Sequence, residues 1–114
     1  MELVEKPIEL GDVFLAALPS GKGDQTRGPH YAVVVSDEPY NWLSSVVVVP
    51  LSSGAQESDM HPQLSFRGTR TRALVEQVTA LDKRYLRERV ASLAGTAAMD
   101  IIQERLRYLL ALDV

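Results

Sequence analysis

His30-Tyr31-Ala32-Val33-Val34-Val35-Ser36, followed after a short turn by Val46-Val47-Val48-Val49-Pro50-Leu51, sets the architecture of the chain. Runs of β-branched residues restrict χ1 and favour strands over helices. Tyr31–Val35 and Ser45–Leu51 therefore read as two strands, with Pro50 marking a bulge or edge near the end of the second. Ahead of the first lies the polar, Gly-rich loop Lys22-Gly23-Asp24-Gln25-Thr26-Arg27-Gly28-Pro29; after the second come the hydroxyls Ser52 and Ser53. Polar donors launched from a rigid sheet edge suit an anion or phosphodiester site.

Working outward, Gly11–Leu18 reads as a buried strand closed by Pro19-Ser20-Gly21. Asp37–Asn41 reads as a turn or single helical turn, with Trp42 and Leu43 tucked inward. Ser52–Gln63 is a long polar loop. Gln63–Phe66 and Ala73–Val78 read as shorter strands joined by Arg67–Arg72, and Arg89–Leu93 as the last strand. Asp82 caps a short helical turn through Leu86. Thr96 is placed to cap a closing helix in which Met99, Ile102, Leu106, Leu109 and Leu110 step along one core-facing stripe. Several short strands and then one helix predict a mainly β domain, a strongly bent antiparallel sheet or barrel with a C-terminal helix against it.

Composition bounds the rest. The 114 residues, 46% apolar, fit a single domain over 1–114 and not two. With no cysteine there is no disulfide framework, thiolate nucleophile or zinc–thiolate site. No apolar run approaches the roughly 20 residues of a membrane helix. The start, Met1–Lys6, is acidic where a secretory signal would be basic, so the expected location is cytoplasmic. Fifteen acids against twelve bases give a formal charge of −3, which does not suit a generic nucleic-acid coat. A local basic patch survives if the loops bearing Lys22 and Arg27 and bearing Arg67, Arg70 and Arg72 meet; otherwise these are scattered surface charges.

Candidate chemistry is sparse. His30 can donate to phosphate or move a proton near neutral pH, or it is a half-exposed strand residue with ordinary hydrogen bonds. His61, beside Pro62, reads as plain surface, and two distant histidines make no metal site. Ser52 and Ser53 lack a Gly-x-Ser-x-Gly elbow, so they read as phosphate or base contacts, or as turn caps. The glycines around Lys22 lack P-loop spacing. Glu76-Gln77 closes an apolar strand, one side chain expected on each face. The pair could read a base edge, or belong to an edge strand with one wet face.

Together these motifs resemble the MazF/PemK family of toxin endoribonucleases. The resemblance rests on Gly11-Asp12-Val13-Phe14, Lys22-Gly23 leading to Ala32–Ser36, Asn41, Val46–Ser53, Glu76-Gln77-Val78 and Leu81-Asp82-Lys83 with Leu86. It implies a curled SH3-like barrel of the MazF/PemK/CcdB type, a homodimer, and cofactor-free, metal-independent cleavage of single-stranded RNA. The ribose 2′-hydroxyl would attack its own phosphate. It further implies a MazE-like antitoxin whose acidic, apolar tail covers the RNA groove. The family's arginine before the second strand falls on His30, its loop glutamate on Gln25, and its threonine on Ser52. The resemblance thus makes His30 and Ser52 catalytic, with His30 acting as acid or base or Arg27 restoring the missing charge. Lys22, Gln25, Thr26, Ser53, Glu76 and Gln77 would hold RNA. A weakened site, a protein-binding toxin of the same fold such as those that bind gyrase, and a silent RNA-binding or partner-binding domain are the alternatives. The valines of 46–49 are expected to leave apolar surface that a two-fold interface would hide.

Overall fold

The valine-rich segments do form the centre of a sheet. The structure, a computed structural model, describes residues 6–17 and 30–112. Seven strands occur among the described residues: β1 (Asp12–Ala16), β2 (His30–Val34), β3 (Ser45–Ser52), β4 (Gln63–Phe66), β5 (Thr69–Ala73), β6 (Thr79–Asp82) and β7 (Leu86–Ser92). One helix follows, α1 (Ala97–Leu109). Every strand pairing is antiparallel, and the order runs β4-β5-β3-β2-β1-β7, with β6 also pairing with β3. No helix among the described residues is long and apolar enough to cross a membrane.

β3 explains the curl. One of its edges pairs with β2, Ala32 opposite Pro50 and Val34 opposite Val48. The other edge pairs first with β6, through Ser45–Val48, and then with β5, through Leu51 and Ser52. Pro50 stands at that change of partner. Its carbonyl accepts from Leu74 N at 2.8 Å, and in a strand a residue's N–H would point to the same side as its C=O. The missing donor therefore falls in the gap between β5 and β6, where no ladder bond is lost. The chain fills that gap with a 3-10 turn, Val75–Gln77.

This corrects the expected strand Ala73–Val78. The strand is Thr69–Ala73, Glu76 and Gln77 lie on the following turn, and both are exposed rather than alternating in and out. β6 was not expected, and β7 begins at Leu86 rather than Arg89. The helical turn capped by Asp82 is present, its carboxylate accepting from Arg84 N at 2.9 Å.

Alternation along the strands sends side chains to two apolar clusters, one on each face. Val13, Val33, Val49, Leu51, Leu64 and Phe66 pack beneath Met99 and Ile102 of α1. Phe14, Ala16, Ala32, Val34, Val46, Val48 and Leu81 form the second cluster, with Ile8, Tyr85 and Leu86 against it. Val46, Val48 and Val49 are 0% exposed, so the run expected to leave a sticky surface is covered within one chain. The core stripe of α1 runs through Met99, Ile102 and the partly buried Leu106, whereas Leu109 and Leu110 are exposed, contrary to the expected five-residue stripe. Thr96 caps the helix as expected, Oγ1 accepting from Met99 N at 3.2 Å.

The turn Tyr40–Trp42 reverses another expectation. Trp42 is 67% and Leu43 57% exposed, whereas Asn41 is 3% exposed. The Asn41 amide donates to the carbonyls of Ile8 (3.0 Å) and Ser36 (2.8 Å) and accepts from the Ser36 hydroxyl, which in turn accepts from Val47 N. A buried amide with every group partnered ties the N-terminal arm, the end of β2 and β3 together.

Candidate functional site

His30 opens β2 opposite Ala16 of β1, and Ser52 closes β3. The β2–β3 ladder runs from Val34–Val48 to Ala32–Pro50, and two further steps in that register align His30 with Ser52. Directly opposed residues of antiparallel strands share a face. Imidazole and hydroxyl thus belong to one transverse row at one end of the sheet. The start of β2 is fixed there by Tyr31, whose ring meets Phe66 of β4 edge-on at 5.1 Å.

His30 is half-buried, and its Nε2 is shielded from solvent without a hydrogen-bond partner among the described residues. Ser52 Oγ accepts weakly from Gly54 N at 3.3 Å, so the hydroxyl caps its own turn while keeping its proton to donate. Ser53 is exposed on that turn. Lys22, Gln25, Thr26 and Arg27, the remaining loop candidates, lie outside the described residues.

The row continues past Ser52. Arg72 of β5 is its cross-strand partner, and Gln63 of β4 is the partner of Arg72. The Arg72 guanidinium donates from Nη2 to Gln63 Oε1 at 3.2 Å and from Nη1 to the His61 carbonyl at 2.9 Å. His61, expected to be plain surface, is only 14% exposed at its side chain. Its Nδ1 lies 2.6 Å from the Gln56 carbonyl and its Nε2 2.9 and 3.0 Å from the two Glu76 carboxylate oxygens. Both partners are acceptors, and only the imidazolium carries two N–H donors. The Gln56 carbonyl raises the His61 pKa above its ordinary value, and the bond and charge of Glu76 add to this against burial and the Arg72 charge. Burial pushes the Glu76 carboxyl up, but the His61 hydrogen bond, its own backbone N–H and the His61 charge together hold it below the ordinary range.

Glu76, expected to contact RNA, is thus engaged by His61, while Gln77 is exposed beside it. No sequence signal near His61 marks this contact, because its partner lies 15 residues away across a turn. Arg72 carried a better one. Along Arg70-Thr71-Arg72-Ala73 the residues run exposed, buried, half-buried, buried, a strand period in step with the Arg-Thr alternation, although the stretch through Arg72 reads as a loop from composition.

A second concavity opens beside β1 and β7. It has a volume of about 560 Å³ and is lined by Lys6, Phe14, Trp42, Lys83, Arg87 and Arg89 among others. Arg89 is held there by Asp12 at 3.2 Å, by the Lys6 and Pro7 carbonyls, and over the Phe14 ring. No three His, Asp or Glu side chains gather as a metal site among the described residues.

A curled antiparallel half-barrel with a C-terminal helix, bearing an imidazole–hydroxyl–guanidinium row at one end, defines a small polar-site domain. Residues 9–110 match the family model described as PemK-like, MazF-like toxin of type II toxin–antitoxin system, and the chain belongs to that family. The fold is that of MazF from Deinococcus radiodurans, with a TM-score of 0.80 and 22% identity over 95% of this chain and 100% of that one. An endoribonuclease from a mycobacterial species, solved with its cognate antitoxin, superposes with a TM-score of 0.76 and 19% identity over 96% of this chain and 99% of that one. In sequence, Rv3098A of Mycobacterium tuberculosis, described as a candidate toxin, is 43% identical over 60 residues. That match covers 53% of this chain and 56%, just over half, of the relative's length. The resemblance read from Glu76-Gln77-Val78 and Leu81-Asp82-Lys83 therefore identifies the family correctly.

Proposed function

We propose that this chain is the toxin of a toxin–antitoxin pair and acts as a metal-independent endoribonuclease that selects sequences in single-stranded RNA. One observation carries the reading: the β2–β3 register, which, extended two steps, aligns His30 with Ser52 on one face. Family membership and the solved endoribonuclease of the same fold support it. Cleavage needs a group to take the 2′-hydroxyl proton and donors for the charge that develops on phosphate. The His30 imidazole takes that proton as the 2′-oxygen attacks phosphorus. The bond from phosphorus to the 5′-oxygen breaks, leaving a 2′,3′-cyclic phosphate and a 5′-hydroxyl that takes its proton from solvent or a neighbouring donor. Ser52 Oγ–H donates to a non-bridging oxygen. Lys22, Gln25, Thr26, Arg27, Ser53 and Gln77 hold the strand on either side. The nucleophile belongs to the substrate, which accounts for RNA rather than DNA.

The reading extends to the assembly: a cytoplasmic homodimer whose cleavage groove is blocked by an acidic antitoxin tail. The solved antitoxin complexes of this fold support the partner. The test is incubation of purified protein with a long single-stranded RNA in chelator. Discrete fragments ending in cyclic phosphate are expected from wild type, and neither from His30→Ala nor on an RNA with 2′-deoxy residues at the cleaved positions. Intact RNA at every enzyme excess would refute the nuclease.

A further inference from the structure

We infer that Arg72 supplies the guanidinium of the cleavage site, binding the scissile phosphate across the β3–β5 ladder from Ser52. This inference rests on the nuclease reading and adds to it a group from a different strand, far from Arg27 in sequence.

Three observations carry it. Arg72 and Ser52 are Cα partners in an antiparallel ladder, so their side chains share a face, with Cβ atoms about 4.5–5.5 Å apart. The guanidinium is also pre-oriented. Its bonds to the Gln63 side chain and the His61 carbonyl use two of five N–H donors, leaving three for a ligand. Third, its charge is left over. Glu76, the carboxylate of the cluster, is engaged by His61, and no ion pair to Arg72 occurs among the described residues. An arginine on a rigid strand, fixed at two N–H groups and unneutralised, presents a planar fork that fits two phosphate oxygens. Read along the row, the imidazole flanks Ser52 on one side and the guanidinium on the other. A phosphate seated over Ser52 meets both, and the guanidinium answers the charge that grows on the non-bridging oxygens in the transition state.

The His61–Glu76 pair acts through Arg72. By occupying Glu76 it keeps that carboxylate from closing on the guanidinium, and the His61 carbonyl sets its plane. His61 is thus a positioning residue, not a catalytic one.

The test compares RNA cleavage by wild type, Arg72→Ala, Arg72→Lys and, as a remote loss of charge, Arg107→Ala on the exposed face of α1. Arg72→Ala is expected to lower kcat roughly 100-fold to 1,000-fold, the loss typical of one removed transition-state donor. Arg72→Lys should recover only part of this, Arg107→Ala should match wild type, and millimolar guanidinium should restore activity to Arg72→Ala alone. Rescue by free guanidinium separates a chemical role from a fold defect, and the lysine variant serves should the alanine variant fail to fold. Wild-type rates in Arg72→Ala would overturn the inference and leave the nuclease standing. If wild type cleaves nothing, the nuclease reading fails, and binding of a 2′-deoxy-substituted oligonucleotide decides the phosphate contact. Equal affinity in wild type and Arg72→Ala would then refute it.

Discussion

Replacing Gly11 by alanine should cost far more than replacing Gly95, although both backbones lie at positive φ. Gly11 has φ +96° and Gly95 φ +76°, where a side chain is strained by roughly 1–2 kcal/mol. Stiffening the unfolded chain gives back about 0.4–1 kcal/mol in each case. The difference is what a new methyl would meet. At Gly95 nothing lies within 4 Å. At Gly11 the Cβ would stand 2.9 Å from Ala94 N and 3.1 Å from Ala94 Cα, atoms of backbone that cannot rotate away. Gly11 also donates to the Val34 carbonyl and accepts from Leu93 N, both at 2.8 Å, so the shift that relieves the clash strains both bonds. Weakening two bonds at about 1 kcal/mol each, with the lost packing of β1 on β7, brings the expected cost to roughly 3–4 kcal/mol. Gly95→Ala should cost about 1 kcal/mol or less. Against a total stability of roughly 5–15 kcal/mol, the first is a large fraction. Urea unfolding at one fixed protein concentration reads both. With a slope near 2 kcal/mol/M, Gly11→Ala should lower the midpoint by about 1.5–2 M and Gly95→Ala by about 0.5 M or less. Equal shifts at unchanged slope would refute the argument that contact, and not φ, dominates.

Other expectations follow from the polar contacts. Because the His61 pKa is raised above 6.5, the stability it contributes is complete below that value and lost as pH rises through the raised one. The Glu76 pKa is lowered below 4.5, so its share is present above that value and lost as pH falls through the lowered one. The stability difference between wild type and His61→Ala should therefore peak between the two and shrink on the alkaline side, by about 0.5–1 kcal/mol for a pair whose carboxylate is exposed. A difference flat with pH in urea unfolding would contradict a charged His61. Asn41→Ala leaves the Ile8 and Ser36 carbonyls without their donor and should cost about 2–4 kcal/mol, while Trp42→Ala next to it should cost under about 1 kcal/mol. Thermal melts of the two variants check the contrast, which reverses if tryptophan is the anchor.

The family and most of the fold were legible because they rest on local rules. β-branched runs at 31–35 and 45–51 can hardly be anything but strands, and the caps at Asp82 and Thr96 are written in side chains next to the backbone they serve. Hydrophobicity misled where burial was decided by partners. Asn41 is inside because three hydrogen bonds await it, while Trp42, the more apolar neighbour, stays out. The valines of 46–49 looked like a surface in search of a partner, yet the curl gives the sheet a core on each face.

Local pattern was thus enough for β1 to β4, the closing helix and the His30 and Ser52 positions, since alternation, branching and capping act over a few residues. That Arg72 stands beside Ser52 and that His61 holds Glu76 emerged with the folded sheet. Both follow from β3 changing partners after Pro50, a choice made by strand pairing across the chain, which no local pattern records.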